Sequence, residues 1–305
     1  MTNSPAAMRP STTGAYLFLA IVMLLWAGNS IVGRAVRDDI PPFTLALVRW
    51  AGATLILTPF AWHRLRADVP ALRAHWRTVL ILGLLGVAAF NAFLYSGLHH
   101  TTATNAMLIQ ASIPALVVLF GRLFFGERAR ALQILGVIAS TVGVAWVVSA
   151  GDIDTLLHVR LGAGDVLILV ASLVWSLYTV LLRLRPGVDA LSFLVVTFTI
   201  GGLAMLPLAV HEWLAGDVVR WGPATVGAFA YVAVLPSILA YFLYNRAVGM
   251  IGSGRAGQMI TLMPLFGALL AALLLGEALH AFHVWGMAFI VAGIALSALT
   301  GRERG

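Results

Sequence analysis

Trp26 and Asn29 stand three residues apart, Asn91 and Tyr95 four, Trp175 and Tyr178 three, and Ser237, Tyr241 and Tyr244 four and three. Such intervals put each set on one face of a helix. Met107 and Gln110 lead into Pro114, and Gln258 and Thr261 lead into Pro264. Amides, hydroxyls and indoles exchange hydrogen bonds and offer flat surfaces, but none of them shuttles a proton near neutral pH. The chemistry is that of holding a small polar solute. Bond-breaking chemistry finds no support. Cysteine is absent, which excludes disulfides and Cys-based metal sites. No His-Glu-x-x-His occurs, and no serine shares an apolar run with a deep histidine. Neither an enzyme nor a cofactor is expected.

Holding these groups together requires membrane helices. Of the 305 residues, 61% are hydrophobic and 10% charged, against about 25% charged in a soluble domain; mean hydropathy is +0.96. Lipid is therefore the expected solvent. Spans of about 20 apolar residues are predicted near 14–33, 43–62, 78–97, 103–124, 131–150, 162–182, 190–211, 223–245, 256–275 and 281–300. The net charge of +7 is carried by nineteen arginines and no lysine. These are spread singly or in small groups between apolar runs, which suits membrane orientation and not nucleic-acid binding. With the N-terminus cytoplasmic, fourteen arginines fall on the cytoplasmic side and four (Arg34, Arg37, Arg160 and Arg220) opposite, with Arg49 inside a span. Both termini, 1–13 and 301–305, are thus expected in the cytoplasm, with no removable leader.

The chain repeats itself. Trp26 and Arg34 match Trp175 and Arg183 at an offset of 149. Pro114, Gly126, Glu127, Ala131, Gly136 and Gly143 match Pro264, Gly276, Glu277, Ala281, Gly286 and Gly293 at an offset of 150. Each half, 14–150 and 162–300, holds five predicted spans. Five is odd, so the second half is inverted relative to the first, as in many secondary transporters. Gly-Glu then falls on opposite sides of the membrane in the two halves. A structural role is expected, with the glycine ending one helix and the glutamate facing the N-terminus of the next. The later glycines, two turns apart, permit close helix contact.

Ten spans in two halves, each ending Pro…Gly-Glu…Gly…Gly and each opening on a Trp-bearing helix, resemble the drug/metabolite transporter superfamily with two EamA domains. Within it the chain is most similar to the YddG-type bacterial amino-acid exporters. The resemblance covers roughly 14–300. It implies a ten-helix all-α basket in a bacterial inner membrane, with a cavity formed mainly by helices 1, 3, 4, 6, 8 and 9. Helices 5 and 10 would be peripheral.

Every acidic residue lies in a loop or near a span end, and so does nearly every histidine. A mid-membrane carboxylate for proton relay or cation binding is missing. This disfavours the small multidrug proton antiporters, and also a strongly cationic substrate. The buried-polar set has two readings. Each of Trp26, Asn29, Asn91, Tyr95, Met107, Gln110, Trp175, Tyr178, Ser237, Tyr241, Gln258 and Thr261 either ties helix to helix or lines the cavity. As a set they concentrate on the helices that the family places around its cavity, which favours lining. Arg49 lies about 10 Å along its helix from Pro42. A substrate carboxylate, the Asp38–Asp39 loop and the membrane surface are all open to it; a gating or structural role is favoured, as for Pro114 and Pro264. The expectation is a carrier exporting small polar or zwitterionic metabolites, amino acids including aromatic ones, by alternating access. Multidrug export by the same fold is the alternative.

Overall fold

Lipid offers no hydrogen bonds to a backbone, so a spanning chain must satisfy its own. Here it does so with helices. The computed structural model describes residues 12–101, 106, 109–149, 151, 152, 154, 155, 162–275 and 280–299. Their helices are α1 (Thr12–Ala35), α2 (Pro42–Ala74), α3 (Trp76–His100), α4 (Ile113–Phe125), α5 (Ala131–Val148), α6 (Ala163–Leu181), α7 (Ala190–Leu214), α8 (Pro223–Ile251), α9 (253–275) and α10 (Ala281–Leu299). Among the described residues, seven helices are long and apolar enough to cross a bilayer, and α4 and α5 are shorter apolar helices. Side chains such as Leu55, Phe60, Leu123, Leu203 and Val284 are exposed on the outside of the bundle, where lipid would cover them.

The halves interlock reciprocally. α3 packs on α6 and, in exchange, α8 on α1; α2 pairs with α7 and α5 with α10. Residues near a pseudo-two-fold axis should meet their own counterparts. Trp26 and Trp175 do so, with ring centroids 4.9 Å apart. Ser140 Oγ donates to the Ile290 carbonyl, 150 residues on, at 3.3 Å.

Each interlock has a local cause. In α5 and α10, a Cβ on Gly136 would lie 2.5 Å from the Gly293 carbonyl, and one on Gly143 would lie 2.6 Å from that of Gly286. The glycines admit backbone against backbone, as their spacing predicts. Between α2 and α7, Glu212 near the end of α7 accepts the Phe43 and Thr44 N–H groups at 2.8 Å. Asp68 near the end of α2 accepts the Asp189 N–H at the start of α7 at 3.0 Å. Each helix thus supplies a carboxylate to the electropositive N-terminus of its partner.

Four local features differ from the sequence reading. α2 continues to Ala74 instead of stopping at 62, through Pro59 and Pro70; its later half is polar and carries Arg64, Arg66 and Arg73. The span expected over 103–124 is interrupted, since Ala111 and Ser112 form a turn and α4 begins at Ile113. Pro114 then occupies the first turn, where its missing N–H costs nothing. The second half behaves alike: α9 is α-helical over Ser253–Gln258, 3-10 over Met259–Leu262 and α-helical again from Met263, with Pro264 next. Finally, Glu127 pairs with Arg183 at 2.6 Å, a partner that spacing did not suggest. Gly126 ends α4 with φ of 65°, as anticipated. Gly276 and Glu277 lie outside the described residues.

A feature invisible to hydropathy appears in α3 and α8. Each contains a π-helical stretch, Leu84–Ala89 and Val234–Leu239, at matching positions of the repeat. Such wide turns release backbone carbonyls from the i,i+4 ladder and are frequent at functional sites. Gly86, Val87 and Ala88 of the first and Pro236 and Ser237 of the second are buried, whereas Leu84, Val234, Leu235 and Leu239 are exposed.

Candidate functional site: the chamber between the halves

The π-turn carbonyls anchor the centre. Gly86 O accepts the Tyr241 hydroxyl at 2.5 Å. Its counterpart Pro236 O accepts Trp26 Nε1 at 3.0 Å and Arg49 Nη2 at 3.1 Å. Proline has no N–H to return to the helix, and Ser237 Oγ takes up the Val232 carbonyl at 2.6 Å. Gly86 is required here because a Cβ would meet the Tyr178 ring at 2.4 Å.

Arg49 is the hub. It is only 2% exposed. Its Nε donates to Ser237 Oγ at 2.6 Å. Nη1 reaches Asn29 Oδ1 at 3.3 Å, Asn91 Oδ1 at 3.0 Å and the Tyr95 hydroxyl at 2.8 Å. The guanidinium thereby ties α2 to α1, α3 and α8. It turns neither to the Asp38–Asp39 loop nor to the membrane surface. Its ring neighbour is Trp50, whose centroid lies 4.5 Å from Cζ.

Trp26, Trp175, Tyr241 and Tyr244 pack against one another with centroids 4.9–5.9 Å apart, mostly edge to face or tilted, the favoured geometries for aromatic pairs. Between this cluster and Arg49 lies a cavity of about 20 Å³, room for about one water. Trp26, Asn29, Gln110, Trp175 and Tyr241 line it, joined by Ser30, Phe90, Ile113, Ile260 and Met263. The Nε1 of Trp175 is buried beside the Tyr244 hydroxyl.

On one side the chamber is sealed by Tyr178 donating to Asn245 at 2.9 Å and by Thr179 bonded to Tyr244 at 2.9 Å. Beyond that seal opens a vestibule of about 730 Å³, with Thr179 and Asn245 at its floor. Its walls carry Arg128, Arg130, Arg183, Arg185 and Arg255, with Glu127 as their acidic neighbour. The opposite side is closed more deeply. Tyr95 donates to Asn29 at 3.0 Å, Arg34 to the Leu98 carbonyl at 2.7 Å, and Thr101 to the Asp165 carboxylate. The Arg220 N–H joins the Asp39 carbonyl at 2.9 Å.

The residues singled out in the sequence thus separate into groups. Trp26, Asn29, Gln110, Trp175 and Tyr241 line the chamber; Asn91, Tyr95 and Ser237 reach it through Arg49; Tyr178 seals it. Gln258 points elsewhere, donating to Gly293 O at 2.8 Å and Ser140 Oγ at 3.2 Å, and so ties α9 to α10 and α5. Thr261 donates back to the Gln258 carbonyl at 2.8 Å. Met107 lies outside the described residues. Sequence spacing missed Phe90 and Met263, which are apolar residues among many and carry no distinguishing mark.

An inverted pair of five-helix halves around a closed polar chamber is the architecture of a membrane transporter. Comparison with known proteins agrees: residues 13–149 and 162–299 each match the EamA-like transporter family, and the chain belongs to that family. It is 31% identical to an uncharacterized transporter of Archaeoglobus fulgidus, over 92% of this chain and 96% of that protein. It is 26% identical to a protein named probable terminal-alkyne amino-acid exporter from Streptantibioticus cattleyicolor, over 91% of each. A crystal structure 22% identical in sequence superposes with a TM-score of 0.76, covering 96% of this chain and 99% of that one; it shares the fold.

Proposed function

We propose that this carrier exports small polar or zwitterionic metabolites, amino acids including aromatic ones among them, by alternating access across a bacterial inner membrane. The chamber carries the reading. Its amide, hydroxyl and indole groups sit between two seals, and an aqueous vestibule reaches one of them. The amino-acid exporter among the relatives supports the substrate class. The arginine distribution supports a cytoplasmic vestibule and cytoplasmic termini. Among the described residues no carboxylate lines the chamber, which favours downhill export over proton coupling.

The test is uptake of labelled amino acids into proteoliposomes, with and without an imposed pH gradient. Saturable uptake without the gradient supports the reading. A strict need for the gradient removes the downhill mechanism. Efflux of flat dyes with no amino-acid transport replaces the substrate class with hydrophobic drugs.

A further inference from the structure

Arg49 is a full positive charge in the middle of the bundle, and all its hydrogen-bond acceptors among the described residues are uncharged: Ser237, Asn29, Asn91, Tyr95 and the Pro236 carbonyl. Burying a guanidinium without a counter-charge is costly. Helix-to-helix contact does not require it. At the corresponding place in the second half the repeat carries Phe198, which is fully buried and packs on Trp50 and Tyr241. The fold therefore accommodates an apolar side chain at this position, and the charge in the first half needs another reason.

Donor arithmetic points the same way. Nη1 has two hydrogens for three acceptors, whereas Nη2 has two hydrogens and one acceptor, Pro236 O. A guanidinium edge matches a carboxylate in the two-pronged geometry that makes such pairs strong. Arg49 lines the central cavity, and Trp175 lies on the same cavity. The route to it passes five arginines in the vestibule, whose field concentrates anions at the mouth.

We propose that Arg49 receives the carboxylate of the transported solute. The carboxylate takes over Nη1 and Nη2 hydrogens now held by Asn29, Tyr95 and Pro236. Loading the carrier thereby loosens the ties that hold α1, α3 and α8 together on the closed side. The proposal rests on the carrier reading above and adds the chemical group by which the solute is recognised.

The experiment uses the full chain in proteoliposomes. Each of the twenty L-amino acids is tested for uptake, and each one transported is then compared with its amide as a competitor. The amide keeps the side chain and the amino group and lacks the carboxylate. The acid is expected to compete about tenfold or more better than the amide, as the loss of a charge-assisted pair predicts. Arg49→Met should erase that preference, and Arg49→Lys should keep part of it. Equal competition by acid and amide, with uptake intact, overturns the role of Arg49 and leaves the carrier reading standing; this comparison needs no variant to fold. An acid preference that persists in transporting Arg49→Met also overturns it. Failure to transport any amino acid overturns both.

Discussion

Tyr178 donates to Asn245 across 2.9 Å, and that bond joins α6 to α8 beneath the vestibule. The repeat carries the same bond to the other side of the chamber with its parts exchanged. Tyr178 corresponds to Asn29, and Asn245 to Tyr95; the tyrosine of this second pair donates from α3 to the amide on α1 at 3.0 Å. Two latches of one chemistry therefore face opposite sides of the membrane. Around them the closures differ: Thr179 bonds to Tyr244 on the vestibule side, and Arg34 and Thr101 add their ties on the other.

Removing one latch should bias the carrier toward opening at that end. A hydrogen bond of this kind contributes about 1 kcal/mol, about fivefold in population. Because the chain has no cysteine, Leu94→Cys gives a single thiol on the chamber wall. Maleimide labelling from the Arg34 side should rise about fivefold in Tyr95→Phe and stay level in Tyr178→Phe. Equal labelling in the two variants would show that neither pair acts as a gate.

Glu212→Ala should destabilise the protein by about 1–2 kcal/mol, the usual cost of a lost helix cap. The carboxylate holds two N–H groups of α2 and the Thr44 hydroxyl, at 2.8–2.9 Å. Asp217→Ala, at an exposed position nearby, should leave stability nearly unchanged. Thermal unfolding in detergent separates the two.

Gly293→Ala places a Cβ 2.4 Å from the Gly136 carbonyl, so α5 and α10 must part. Overpacking of this kind costs about 1–3 kcal/mol. Gly227→Ala in α8 meets open space and should be neutral or mildly stabilising. A melting temperature unchanged in Gly293→Ala would mean that the two helices are not held at this distance.

Gln110→Ala and Gln258→Ala should differ in kind. Gln110 lines the chamber, so its loss should weaken solute affinity in folded protein. Gln258 bonds to α10 and α5, so its loss should lower stability and leave relative solute preferences unchanged. Uptake normalised to folded protein, beside a melting curve, checks both.

Most of this architecture was legible in the sequence because lipid imposes simple rules. Apolar length gave the spans, and the offsets of 149 and 150 the inversion. Gly136, Gly143, Gly286 and Gly293 announced their contact through spacing alone. The chamber was only half legible. Trp26, Asn29, Gln110, Trp175 and Tyr241 stood out as costly groups to leave in lipid. Gln258 pays the same cost but recovers it against α10, and no spacing rule separates the two outcomes. The position of Arg49 was plain, and its direction was not, since a long side chain in α2 can rise to the surface or reach inward. The π-turns left no composition signal at all.

Those π-turns also carry a record. A wide turn of this type is one residue more than the α-helix around it requires. Leu84–Ala89 and Val234–Leu239 stand at the same place in two halves that now share few identities. Separate insertions would have had to strike the same spot twice. One insertion in an ancestral five-helix protein, copied when the gene doubled, accounts for both, and the ancestor would then have met its own twin upside down with the freed carbonyls already in place.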